Sequence, residues 1–296
     1  MPGYHLPYFT AAAIGLYEKE GLDVEIVEPE PGIENVQAVA RGAYDACLTS
    51  VAYFVQAKSS DRELAARFVF MVARRTHMAA FCVKGRQTAT GWLPRTLEDL
   101  AGATLLGSSD SPFVRDYVAT LREIGVEPGP TIDLPYGDVM DALAVGNGDV
   151  AADYIELLPA FETAAEPYGV RIEAFPFYNS GIDVYGSGLV VGTDAIANRP
   201  RAVGALVRAV RAALTATRRK PAIGLPLLEQ RFPALDARRA LAGWHAGEPL
   251  IFGENGAPDE LGQMDVETWE RTLEHQAAAH GGPRLAAASV FDASFL

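Results

Sequence analysis

Cysteine is scarce: two occur in 296 residues, Cys47 and Cys82, each inside an apolar, strand-like run (YDACLTS and AAFCVKG). They read as two small buried hydrophobes, and with no CxxC pair or Cys/His cluster a structural zinc site is set aside. The five histidines, His5, His77, His245, His275 and His280, show no HExxH or i, i+4 pairing, so neither a metal nor another cofactor is expected. No run approaches 18 apolar residues, which excludes a helical membrane span, and MPGYHLPYFT lacks the basic stretch and apolar core of a secretion signal. Positive charge is also short. With 25 Lys and Arg against 38 Asp and Glu, the net charge of -13 repels a phosphate backbone and an anionic membrane surface, so nucleic acid is excluded as a partner.

What is present is apolar: 49% of the side chains are hydrophobic and 21% charged, enough to bury one large core or two ordinary ones. PYFTAAAIGLYEKEG has helical spacing and stops at Gly21, followed by an extended LDVEIVEPE that reads as a strand. IENVQAVARG is a second helix ending at Gly42, and YDACLTS a nearly all-apolar strand of the kind buried in parallel sheets. Helix VAYFVQAKSS, then FVFMVAR and MAAFCVKG as strands, continue an alternation that argues for a parallel, doubly wound α/β sheet.

The pattern then restarts. TLEDLAG, ATLLGSS, SPFVRDYVATLREIG with Pro112 in its first turn, and TIDLPYG repeat helix, strand, helix, strand, and DVMDALAVGNG with DVAADYI adds another unit. Two sheets of similar construction imply two lobes. From Asn198 the chain is helical almost throughout, and the arginines of RPRAVGALVRAVRAALTATRRK lie on a solvated helix face.

The stretch GYHLPYFTAAAIGLYEKEGLDVEIVEPEPG resembles the opening of the nitrate/sulfonate/taurine and thiamine-pyrimidine-precursor family of substrate-binding proteins, where a His-Pro turn leads to a helix and then EGLDV. ARGAYDACLTS, LEDLAGATLLGSSDSPFVRDYVATLREIGV, ALAVGNGDVAADYIE, the helix after TDAIANRP and the terminal FDASFL extend the likeness, in the same order, over nearly the whole chain. The resemblance implies a type II periplasmic-binding fold: two doubly wound lobes with a ligand cleft, residues 1–83 with 189–296 forming one lobe and 84–188 the other. It further implies a small-molecule ligand, an ABC permease as partner, a monomer, and an extracytoplasmic location, with the cytoplasm as the alternative. Family members carry an additional strand ahead of the His turn, so the expectation is that the first strand is missing and that the chain as given would be unstable alone.

In open sheets, ligands sit beyond the carboxyl ends of strands, where helix N-termini offer free N–H groups. Five loops qualify: Tyr4, His5 and Tyr8 with Leu6 and Pro7; Thr49 and Ser50; Gly107, Ser108, Ser109 and Asp110 with Ser111; Tyr136 with Gly137 and Asp138; and Asp153, Tyr154 and Glu156. Asp183 and Tyr185, near the return crossing, complete the candidate ligand-binding set. The serines of GSSDSP offer donors to an anion, and equally are ordinary N-caps; without a Lys, the stretch is no GxxxxGK[ST] phosphate loop. The resemblance places a ligand-facing residue at His5 and sets an acidic residue, here Glu156, against a ring amino group. A desolvated carboxylate repels a sulfonate or nitrate and accepts hydrogen bonds from an amine, so the expected ligand is an amino-bearing heterocycle such as a thiamine pyrimidine precursor, with a sulfonate-, nitrate- or taurine-type anion as the alternative. Arg74, Arg75, His77 and Arg115 are the residues that would serve an anion; otherwise they are solvated or ion-paired.

Catalysis is not expected. The enzymes resembled use a cysteine-rich motif with a lysine and a histidine, or a cysteine nucleophile, and the corresponding stretch here, GIDVYGSGLVVG, has no cysteine. Lys58 and Lys84 follow no motif, and an apolar strand gives Cys47 no activating base.

Overall fold

The computed structural model describes residues 3–27, 32–253, 260–282 and 284–296. The first stretch forms helices α1 (Leu6–Ala13), α2 (Leu16–Lys19) and α3 (Glu34–Ala40), strand β1 (Ala46–Ser50), helix α4 (Val51–Ser60) and strand β2 (Ala66–Ala73). Strands β3 (Met78–Val83) and β4 (Leu105–Leu106), helix α5 (Pro112–Glu123), strand β5 (Thr131–Ile132) and helix α6 (Val139–Val145) follow. Then come strand β6 (Val150–Tyr154), helix α7 (Leu158–Ala165), and strands β7 (Ile172–Pro176) and β8 (Ser187–Gly192). The remainder is helical: α8 (Thr193–Asn198), α9 (Pro200–Arg219), α10 (Leu225–Arg231), α11 (Ala237–Phe252) and α12 (Val266–His280).

Two units result. Unit 1 comprises Met1–Arg75, Tyr185–Leu273 and Gly282–Leu296; unit 2 comprises Thr76–Val184 and Glu274–Gly281. The chain thus passes between the units at 75/76, 184/185, 273/274 and 281/282.

Unit 1 is built on the three-stranded sheet β1-β8-β2, in which β8 runs antiparallel to both neighbours. Its core is a chain of rings: Phe54 lies 4.7 Å from Phe68, Phe68 5.2 Å from Trp269, and Trp269 stacks on Phe291 at 5.9 Å, with Val36, Val190 and Leu273 filling the gaps. A second cluster packs Ala11 and Tyr17 against Ala209 and Ala213 of α9. The single helix expected over PYFTAAAIGLYEKEG breaks at Gly15, whose φ of 67° ends α1 in a left-handed turn that side chains other than glycine's resist.

Unit 2 has the five-stranded sheet β5-β4-β6-β3-β7; β4 runs parallel to β5 and β6, while β3 runs antiparallel to β6 and β7. Its core gathers Leu97, Leu100, Tyr117, Leu121, Val150 and Phe177. On the amphipathic α5, Ser111 accepts a hydrogen bond from the Phe113 N–H and Pro112 occupies the first turn.

The α/β class read from the alternation of elements holds, with two corrections. The strands are not all parallel: a strand covered on both faces reads as an apolar run whichever way its neighbour points. LDVEIVEPE forms no strand over its described part, residues 22–27, and 28–30 lie outside the described residues. Leu22 and Val24 do turn inward, but onto the α1–α9 helix cluster; alternation reports which side is buried, not whether a ladder partner exists.

Candidate functional site

In unit 2 the antiparallel pairing of β3 with β6 sets Met78 opposite Tyr154 and Ala79 opposite Asp153, so the start of one strand meets the end of the other. The Ile155 N–H donates to the His77 carbonyl at 2.8 Å and extends the pairing past both strands. His77 and Glu156 are thereby brought side to side: Nδ1 lies 2.5 Å from Oε1, and the two side chains are 3% and 1% exposed. The other carboxylate oxygen of Glu156, Oε2, is buried with no hydrogen-bond partner. Tyr154 stands edge-on to His77 at 5.4 Å and to Phe113 at 5.1 Å, and Phe113 stacks on Tyr136 at 6.0 Å. The run of rings Tyr154, Phe113 and Tyr136 therefore starts from His77, the partner of a buried acid whose second oxygen is an acceptor not yet used.

Asp153 is the second buried acid. It accepts the Tyr136 hydroxyl at 2.8 Å on Oδ2 and the Tyr154 N–H at 2.8 Å on Oδ1. Burial outweighs those two hydrogen bonds and, with the Glu156 charge, pushes the carboxyl up to about 6 from 3.8. Because the folded state binds the proton more tightly than the unfolded chain, this group favours folding below about pH 3.8, and that advantage disappears as pH rises through about 6. Wild type should therefore lose stability relative to Asp153→Asn between pH 4 and 6.5, by on the order of 3 kcal/mol, in urea unfolding at stepped pH. A difference that stays flat over this range would show that Asp153 is not desolvated.

The Gly107–Ser111 turn is largely closed on itself. Ser109 directs its N–H and hydroxyl to Asp133 Oδ1 at 2.9 and 3.1 Å, the Asp110 N–H reaches Ser108 Oγ, and the Ser111 N–H reaches the Ser108 carbonyl at 2.8 Å. Gly107 has φ 144°, and a Cβ there would come within 2.9 Å of Val114 Cγ2, so the glycine lets the turn close over α5. Exposed Asp110 pairs with Arg115 at 3.0 Å. The turn acts as an N-cap, with its own backbone donors in use. Asp183 is exposed elsewhere in unit 2.

In unit 1, Tyr4, Thr49 and Ser50 converge. The Tyr4 hydroxyl hydrogen-bonds to Ser187, which lies opposite Ser50 in the β1–β8 ladder, while Thr49 pairs with Gly188. Ser50 also caps α4 by accepting the Tyr53 N–H at 3.3 Å. His5 follows Tyr4, and desolvation lowers its imidazole to about 3, so it is neutral and able to accept or donate one hydrogen bond. The buried Tyr8 hydroxyl has no hydrogen-bond partner, and burial raises its pKa. Tyr185 belongs to the core: its ring meets Trp269 edge-on at 5.2 Å, its hydroxyl donates to Asp265 at 2.9 Å and its N–H donates to Thr272.

The residues that sequence reasoning missed are His77 as the partner of Glu156, Phe113 as a ring wall and Ser187 as the contact of Tyr4. The short segment from His77 into an apolar strand signals burial, but its partner lies 79 positions away. Of the cationic residues considered for an anion, Arg74 pairs with Glu260 at 2.5 Å. Burial pushes the Cys47 thiol up to about 12 and the Cys82 thiol higher, leaving neither as a thiolate at neutral pH. Lys58 donates to the Leu64 carbonyl at 2.8 Å. Among the described residues no group of three His, Cys, Asp or Glu could hold a metal ion, and no helix is long and apolar enough to cross a membrane.

A family model described as NMT1/THI5 like matches residues 3–223. Among solved structures, the chain is similar to the alkanesulfonate-binding protein SsuA from Xanthomonas axonopodis pv. citri bound to MOPS, at 16% identity and a TM-score of 0.65, covering 98% of this chain and 95% of that one. It is similar to the periplasmic aliphatic sulphonate binding protein SsuA from Escherichia coli at 16% identity and a TM-score of 0.65, covering 82% and 80%. The desulfurization enzyme DSZB is similar at 14% identity and a TM-score of 0.59, covering 98% and 94%. These likenesses are of fold, which is that of the periplasmic binding proteins. No curated protein matches the sequence.

Proposed function

The chain belongs to the NMT1/THI5 like family, and from that premise we propose that it is the solute-binding component of an ABC-type importer, working outside the cytoplasm with a permease as partner. Its ligand is a small, flat molecule with an N–H donor, of the class of an aminopyrimidine precursor of thiamine. The observation that carries this reading is Glu156 Oε2, buried and without a hydrogen-bond partner, on an acid whose partner His77 meets the Tyr154 ring, itself against Phe113. A buried acceptor left unmade costs on the order of 1–3 kcal/mol, which a ligand N–H would recover, and the rings supply a stacking surface. An anion gains nothing there: the charge of Glu156 already acts on Asp153, and an anion would meet the same repulsion.

The DSZB fold likeness raises catalysis as an alternative, and the protonated thiols of Cys47 and Cys82 weigh against a cysteine nucleophile. Titration calorimetry of the chain against a 4-aminopyrimidine and an alkanesulfonate tests the reading. The aminopyrimidine should bind, and Glu156→Gln, which offers an amide in place of the charged acceptor, should weaken it by about 1.5–3 kcal/mol, roughly 10- to 150-fold. Binding of the sulfonate alone, or equal affinity in the variant, would overturn the assignment.

A further inference from the structure

Away from the proposed site, unit 2 contains a second buried group of titratable side chains. On α5, Asp116, Thr120 and Glu123 recur at the spacing of one helix face, and the end of α12 presents His275, Gln276 and His280. His275 Nδ1 lies 2.7 Å from Glu123 Oε2, and His280 Nε2 lies 2.8 Å from Asp116 Oδ1. His275, Gln276, Asp116 and Thr120 are all buried.

The two contacts differ in kind. His275 and Glu123 share a directed hydrogen bond. His280 and Asp116 are as near, yet neither atom has hydrogen-bond geometry. The approach of His280 to Asp116 thus adds proximity but no directed bond, and the directed bond of the contact is the one between His275 and Glu123. The oxygens of Thr120 (Oγ1) and Gln276 (Oε1) are likewise buried and unpartnered, so few directed bonds supplement the charges. The charged groups acting on His275 are Glu123 and Asp116, both from α5.

We propose that the contact of α5 with the final turns of α12 is a pH-operated clasp, held while His275 carries a proton and loosened when it is neutral. Burial alone would lower the His275 pKa; the Glu123 hydrogen bond and the two carboxylate charges outweigh it and raise the imidazole above its ordinary 6.5. A raised histidine contributes stability that is complete below 6.5 and lost as pH rises through the folded-state value. The clasp therefore opens on the alkaline side of neutrality.

Backbone amide exchange of residues 274–281 in the full chain, corrected for intrinsic rates, reads this out. Protection should fall at least tenfold from pH 5.5 to 8.5 while α9 amides keep theirs, and H275Q/H280Q should remove the pH dependence. A fall shared equally by α9, or one that persists in the double variant, overturns the proposal. Should the double variant fail to fold, Glu123→Gln, at a half-exposed position, provides the second measurement. Its carboxylate removed, the NMR titration midpoint of the His275 ring should move down from a wild-type value above 6.5. A wild-type midpoint at or below 6.5, or one unmoved in E123Q, sinks the clasp equally.

Discussion

Replacing His77 with leucine is expected to lower the free energy of unfolding at pH 7 by about 3–5 kcal/mol, the scale on which a buried acid–base pair fails when one member is removed. Glu156 is 1% exposed and its Oε2 already lacks a hydrogen-bond partner; without His77 its Oε1 would lack the imidazole as well. The buried acid must then stand without a partner or draw water into unit 2, and both consume stability. The double variant H77L/E156L should recover most of the loss, because two apolar side chains of similar size leave no charge stranded. Urea midpoints at constant m-value measure both. An H77L midpoint equal to wild type would show that the pair is not the buried contact described above, and the acceptor offered to a ligand would go with it.

Trp269→Ala should cost a similar amount, about 3–5 kcal/mol, for a different reason. Trp269 is fully buried and touches Phe68, Tyr185 and Phe291, so truncation opens a cavity at the junction of β2, α12 and the C-terminal segment. Tyr185, which holds Asp265 at the start of α12, would lose its ring contact. Trp269→Phe keeps most of the apolar volume and removes an indole N–H that has no hydrogen-bond partner, so its cost should be much smaller. Equal losses in the two variants would mean that the ring does not fill this core. Because unit 1 carries the defect, the fluorescence of its remaining tryptophan, Trp244, should report it first.

Particular residues show where the sequence was legible. The Ser111-Pro112 start of α5 and the apolar runs of β2, β3 and β6 are local signals, and each element formed where it was read. Tyr154 and Tyr136 were singled out by their place after a strand or before a helix, and in unit 2 both rings meet Phe113. Tyr185 was selected by the same logic yet packs into the core, because a loop position does not say which way a ring turns. The turn at Ser108–Ser111 looked rich in donors, but Asp133, from another loop, takes up Ser109.

Sequence alone determined the α/β class, most of the succession of helices and strands, and the family likeness. Those properties are sums over the chain or patterns within one helix or strand, governed by periodicity and capping. Tertiary structure alone decided that β3 runs antiparallel to β6, that His77 thereby meets Glu156, and that Asp116 and Glu123 face two histidines of α12. Each of these unites residues far apart in sequence, and the free energy of burying a charge beside its counter-charge has no expression until the chain has folded around both.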